Sequence, residues 1–135
     1  MRGDSLEVPE DVLARRIIGA AIEVHRQLGP GLLESVYEAC LYFELVAQGI
    51  AVRRQVEIPV LYKGNRIDCA FRMDLLADEL VVIELKSVDA LSNVHLAQCM
   101  TYLRLADKRL CLLFNFNVVQ LRDGGIRRVV RNLPE

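Results

Sequence analysis

The chain reads as a single mixed α/β domain, with one mixed sheet and a helical hairpin at its N-terminal end. Three observations predict this fold. Apolar residues fall at helical spacing up to about position 48, two-residue alternation takes over from Ala51, and a further helical stretch separates two groups of strands. A length of 135 residues with 53% hydrophobic and 26% charged residues suits one globular domain with a real core. That domain is expected over residues 11–132, after an N-terminal tail of residues 1–10.

Leu13, Ile17, Ala20, Val24 and Leu28 share one helical face over residues 11–28, and Gly29-Pro30-Gly31 stops the helix. A second helix is predicted from about Leu33 to Gln48, with Tyr37, Leu41 and Leu45 along its stripe and Gly49 as its stop. Val52, Val56, Ile58, Val60 and Tyr62 then alternate with Arg53, Gln55, Glu57 and Lys63 as in a half-buried strand, and Pro59 suits an edge. Lys63-Gly64-Asn65 turns the chain into a strand where Ile67, Cys69, Phe71 and Met73 alternate with Asp68, Ala70, Arg72 and Asp74. After a turn at Asp78-Glu79, residues 80–86 are apolar up to Glu84, as in a central strand covered on both faces.

Ser92 is the predicted cap of a helix reaching about Asp107, with Leu96, Cys99, Leu103 and Ala106 on its apolar stripe. Arg109–Phe116 and Val118–Arg122 read as strands, Asp123-Gly124-Gly125 as a turn, and Ile126–Arg131 as a closing edge strand.

No apolar run approaches the length of a membrane span and the charged N-terminus has no signal-peptide core, so a cytoplasmic protein with no membrane partner is expected. Cys40, Cys69, Cys99 and Cys111 are widely spaced without a Cys-x-x-Cys pair, which predicts buried reduced thiols and not a zinc site. A formal net charge of −1 argues against a protein that binds nucleic acid by bulk electrostatics, leaving only local patches. The pairs Arg15-Arg16, Arg53-Arg54 and Arg127-Arg128 read as solvated edges, and His25 as a partly buried, hydrogen-bonded side chain.

The chemistry concentrates in residues 74–86. Glu84 and Lys86 leave one face of a strand, roughly 6 to 7 Å apart along the chain, while Leu85 points the other way. If the turn at Asp78-Glu79 makes its flanking strands antiparallel neighbours, Asp74 is carried towards Glu84. Two carboxylates can then share a divalent cation beside an ammonium, as in a hydrolytic centre for phosphodiesters. The alternative, surface residues at chance spacing, fits poorly with a strand otherwise wholly apolar, because burying these charges unpaired costs several kcal/mol.

Two further groups stand out. Gly31 precedes Glu34 and Tyr37, which lie one helical turn apart; the alternative is a first-turn glutamate favoured by the helix dipole and a core tyrosine. Gln98 and Tyr102 are also one turn apart and suit orienting a phosphate or a water, or simply form a polar helix edge.

Together, Gly31-x-x-Glu34-x-x-Tyr37, Asp74, Glu84-x-Lys86 and Gln98-x-x-x-Tyr102 resemble the GxxExxY protein family, a branch of the PD-(D/E)XK nuclease superfamily. The resemblance runs from about Asp11 to Asn132. It implies a core of helix, three-stranded meander, helix and strand, with Mg²⁺ (or Mn²⁺) as the cofactor. Asp74, Glu84 and the Leu85 carbonyl would hold the cation, with Glu34 as a further direct or water-mediated ligand and Lys86 as the catalytic lysine. Gln98 and Tyr102 match a motif of exonuclease-like branches, and with Tyr37 they are the candidate substrate-binding residues. Asn117 stands where the family stretch usually ends in glycine, and asparagine tolerates the same positive φ.

The function so implied is a Mg²⁺-dependent phosphodiester hydrolase acting on nucleic acid. Two alternatives stay open: a non-catalytic binding or assembly module on a nuclease-like fold, and a hydrolase of a small phosphorylated ligand. A homodimer is a further expectation, as a way to cover edge strands.

Overall fold

The computed structural model describes residues 7–134, and within that span the side chains of Cys69 and Ala70 lie outside the described set. Residues 1–6 of the expected tail and the Cys69 thiol are therefore beyond it. The elements run α1 (Pro9–Leu28), α2 (Glu34–Ala47), β1 (Val52–Tyr62), β2 (Asn65–Ala77), β3 (Val81–Lys86), α3 (Asn93–Ala106), β4 (Leu110–Asn115) and β5 (Ile126–Val130). The strands form a five-stranded sheet in the order β1-β2-β3-β4-β5. Only the β3–β4 contact is parallel. Its crossover carries α3, as a parallel connection requires. This is the mixed α/β domain with the paired N-terminal helices that the sequence predicts.

Each helix forms for a local reason. α1 begins at Pro9, two residues before the first one expected, because proline's fixed φ suits the first turn and Glu10 and Asp11 follow there. Ser92 caps α3 by accepting from the His95 N–H, while the His95 ring accepts from the Ser92 N–H. The start of α2 has no side-chain cap. Tyr37 fixes it instead: the buried ring stacks on Phe116 with centroids 4.4 Å apart. Its hydroxyl donates to the Gly29 carbonyl at 2.6 Å and accepts from the Leu32 N–H at 3.1 Å.

The sheet divides two apolar layers. Leu13, Ile17, Val24, Tyr37, Leu41 and Leu45 of α1 and α2 pack on Val81, Ile83, Leu85, Leu112 and Phe114. On the opposite face Cys99, Tyr102 and Leu103 of α3 pack on Val82, Cys111 and Leu113. β3 is thus central and covered on both sides, whereas β1, with Pro59, and β5 are edges. The β2–β3 connection is a tight turn with positive φ at both Asp78 and Glu79, the conformation that matches strand twist in two-residue hairpins. The Ala51 N–H donates to the Asp78 carboxylate at 3.0 Å, bracing it.

Two steps of the β1–β2 ribbon are irregular: the register shifts between Ile58 and Val60, and a pair is missing nearer the site. Arg54 pairs with Leu75 and Val56 with Met73, but the register holds no Gln55–Asp74 pair between them. Gln55 has φ of +50°. On one side of this step Val52, Leu75 and Ala77 face α1 and α2; on the other Val56, Ile58 and Met73 face α3. Both strands change faces at Gln55 and Asp74.

One expectation fails. Residues 118–122 form turns and no strand: the Asp123 N–H donates to the Gln120 carbonyl and the Gly125 N–H to that of Leu121, so local bonds replace a ladder. Gly125 permits this fold-back, since a Cβ there would stand 2.7 Å from the carbonyl oxygens of both Asn115 and Leu121. Asn117 does not adopt positive φ, because its N–H donates to the Asn115 side chain and its amide reaches the Val88 carbonyl. No helix among the described residues is long and apolar enough to cross a membrane.

Because the Tyr37 hydroxyl makes two bonds to loop backbone, Tyr37→Phe is expected to cost about 1 to 3 kcal/mol while keeping the ring stack. Urea denaturation followed by circular dichroism measures this; an unchanged midpoint would show that the hydroxyl does not hold the entry to α2.

Candidate active site

β2 and β3 pair at Ala77–Val81, Leu76–Val82 and Leu75–Ile83, and there the ladder ends. Asp74 and Glu84 would form the next pair. Instead their side chains complete the hydrogen bonding: the Asp74 N–H donates to Glu84 Oε1 at 2.9 Å, and the Leu85 N–H donates to Asp74 Oδ2 at 2.8 Å. Each carboxylate spends one oxygen on a backbone amide. Among the described residues the second oxygen of each carries no hydrogen bond.

The electrostatics follow from this crowding. Burial, then the charge of Asp74, pushes the Glu84 carboxyl up to about 9. Asp74 is raised as well, by burial and then by the charges of Glu38 and Glu34, against the lowering effect of the Leu85 N–H and Lys86. Lys86 is half-buried at the end of β3 and forms no salt bridge among the described residues. One ammonium therefore leaves the pair of carboxylates under-compensated.

The neighbouring helices close in from both faces. Glu34, exposed at the start of α2, accepts from the Ser87 N–H at 3.3 Å, and the Ser87 hydroxyl donates to the Leu32 carbonyl at 2.9 Å. Asn115 clamps the same segment, accepting from the Val88 N–H at 3.1 Å and donating to the Val88 carbonyl at 3.0 Å. From α3, the Tyr102 ring lies in the apolar layer edge-on to Phe71, with centroids 5.8 Å apart. Burial, then the charges of Glu84 and Asp74, opposes ionisation of its phenol and pushes its pKa up. Gln98, one turn earlier, is half-buried.

Asp74, Glu84, Lys86 and Glu34 thus gather at the end of β3, with Gln98 and Tyr102 on the α3 side. Tyr37 does not join them as a substrate-binding residue, because its ring is fully buried and its hydroxyl is committed to loop backbone. The structure adds Glu38, a buried carboxylate one turn after Glu34. It accepts from Gln55 Nε2 at 2.6 Å and from Arg54 Nε at 3.1 Å. Its spacing of four from Glu34 was the available sequence signal.

Among the described residues no three His, Cys, Asp or Glu side chains form a ready-made cation cage. The donor set nevertheless fits a hard divalent cation. Asp74 and Glu84 each present a second oxygen, and burial, with the charge of Asp74 acting on Glu84, penalises their ionised forms unless positive charge is supplied. The Leu85 carbonyl faces the same gap as the Leu85 N–H, since a strand residue directs both groups to one neighbour. Glu34 is within reach of the Ser87 backbone that borders this gap.

The sequence profile of the PD-(D/E)XK nuclease superfamily matches residues 11–129. Neither the curated proteins nor the solved structures hold a match.

A carboxyl that ordinarily titrates at 4.5 and is raised to about 9 on folding keeps its proton in the native state while the unfolded chain has lost it. Its contribution therefore favours folding at low pH and is withdrawn as pH rises from about 5 to 9. In chelator-treated protein the melting temperature should fall across that window, and Glu84→Gln, which keeps an acceptor for the Asp74 N–H, should flatten the fall. Differential scanning calorimetry in matched buffers checks this; identical pH profiles for the two proteins would contradict it.

Proposed function

Because the chain belongs to the PD-(D/E)XK nuclease superfamily, we propose that it is a divalent-cation-dependent phosphodiester hydrolase acting on nucleic acid. The observation that carries this reading is the exchange of bonds between Asp74, Glu84 and Leu85 where β2 leaves β3, with Lys86 at the same strand end. Gly31, Glu34 and Tyr37 favour the GxxExxY branch within the superfamily. The free thiols of Cys40, Cys99 and Cys111 suit a reducing cytoplasm.

In this reading Asp74, Glu84 and the Leu85 carbonyl hold Mg²⁺ or Mn²⁺, and Glu34 joins directly or through water. When bound, the cation supplies Lewis-acid polarisation of the phosphoryl group and of water. Lys86 does the rest of the charge work: its Nζ donors orient the attacking water and offset negative charge that grows on the phosphoryl oxygens. Tyr102 and Gln98 bound the α3 side of the site, where a hydroxyl and an amide orient the substrate. The sheet edges β1 and β5 leave a second copy of the chain as a partner.

Purified protein with Mg²⁺ or Mn²⁺, offered linear, circular and single-stranded DNA and RNA, should release cleaved product, and chelator should abolish it. Lys86→Ala should lower turnover by roughly two orders of magnitude, the scale for losing a preorganised electrostatic group. Cation affinity by calorimetry should change little. Wild-type protein that binds cation saturably yet cleaves none of these substrates would overturn the catalytic reading in favour of a binding module.

A further inference from the structure

We propose that Glu38 is a positioning residue for Asp74, acting by holding Gln55 in its left-handed conformation, and is not itself a cation ligand. The proposal rests on reading Asp74 and Glu84 as the cation site. Gln55 is the residue opposite Asp74, at the step where the β1–β2 register skips a pair and both strands change faces. Its φ of +50° is one that a side chain with a Cβ adopts only against a steric cost, so something must hold it there.

Glu38 is the group that does so. It is 7% exposed, and both of its oxygens are committed, Oε1 to Gln55 at 2.6 Å and Oε2 to Arg54 at 3.1 Å. Hydrogen bonds to an ionised carboxylate are strong ones, and Arg54 supplies the compensating charge. Any cation bound by a carboxylate so engaged would have to share an oxygen with the Gln55 amide or the Arg54 guanidinium, beside a positive charge already in place. Glu34 is exposed and among the described residues is held only by the Ser87 N–H at 3.3 Å, so it faces no such barrier.

Fixing the face reversal is what Glu38 does for Asp74. With Gln55 held, the Asp74 N–H turns out of the β1–β2 ladder and meets Glu84, and the Asp74 carboxylate meets the Leu85 N–H.

The test uses metal-free protein for geometry and Mn²⁺ for affinity. Amide hydrogen exchange at Asp74 and Leu85, scaled to amides of β4 to remove global destabilisation, reads whether the exchanged bonds persist. Glu38→Gln keeps an acceptor for Gln55 and removes the charge, so exchange and Mn²⁺ affinity should stay within about threefold of wild type, whereas Glu38→Ala should change each by roughly tenfold or more. Gln55→Gly adopts positive φ at no steric cost, so combining it with Glu38→Ala should restore much of both, and that double variant also serves if Glu38→Ala alone does not fold. Unchanged exchange in Glu38→Ala would overturn the proposal. So would equal loss of Mn²⁺ affinity in Glu38→Gln and Glu38→Ala with exchange intact, which would make Glu38 a ligand. If no protein binds Mn²⁺ but the exchange pattern holds, the positioning role stands and the cation-site reading falls.

Discussion

The structure depends on a substitution of hydrogen bonds: where β2 departs from β3, two carboxylates take the place of two backbone carbonyls. Strands that diverge leave amides without partners, and a buried amide cannot go unpaired without cost. Asp74 and Glu84 answer that need with side-chain oxygens. In doing so they are fixed at one oxygen each, drawn out of water, and brought close to one another. The same bonds that end the ladder therefore bury two carboxyl groups side by side, and burial with the charge of Asp74 keeps the proton on Glu84.

The remainder of the fold keeps this arrangement from relaxing. An isolated two-stranded opening would simply fray, but β3 is pinned by β4 through six paired residues from Val81–Leu110 to Lys86–Asn115, and both of its faces are covered by helices. Beyond Lys86 the chain is clamped again, by Asn115 at Val88 and by Ser87 on the loop before α2. Tyr37 fixes that loop from below, which is why a tyrosine of the most recognisable motif works through packing and two backbone bonds. Its contribution to the site is the placement of Glu34.

Much of this was legible in the sequence because it is local or periodic. The Ser92 cap, the Asp78-Glu79 turn, the edge proline and the apolar run into Glu84-Leu85-Lys86 each carry their meaning within a few residues. The segment Val118–Arg122 misled because valines beside turn residues look like a short strand, whereas the chain folds back on Gly125, a contact no local pattern displays. The face reversal was hidden for a different reason. Ile67, Phe71, Met73, Leu75 and Ala77 keep one uninterrupted parity, so the alternation that places a strand is silent about the half-turn at Asp74. Glu38 was missed with it, since its partners Arg54 and Gln55 lie in another element and look like an exposed strand edge.

The high titration of Glu84 joins stability to function. Without a cation, folding near neutral pH is served by keeping the proton on Glu84, because burial and Asp74 both penalise its charge. A bound divalent cation would reverse that preference, since only the ionised carboxylate is a good ligand. On the proposed reading cation binding and proton release would be one event, with Lys86 contributing positive charge that favours ionisation of both carboxylates. The desolvation that makes the empty pair costly is also what makes each charge count once the cation is in place, because the local field is not diluted by water. A site placed on the rim of the sheet, with the same residues fully hydrated, would be easier to fold and weaker in both respects.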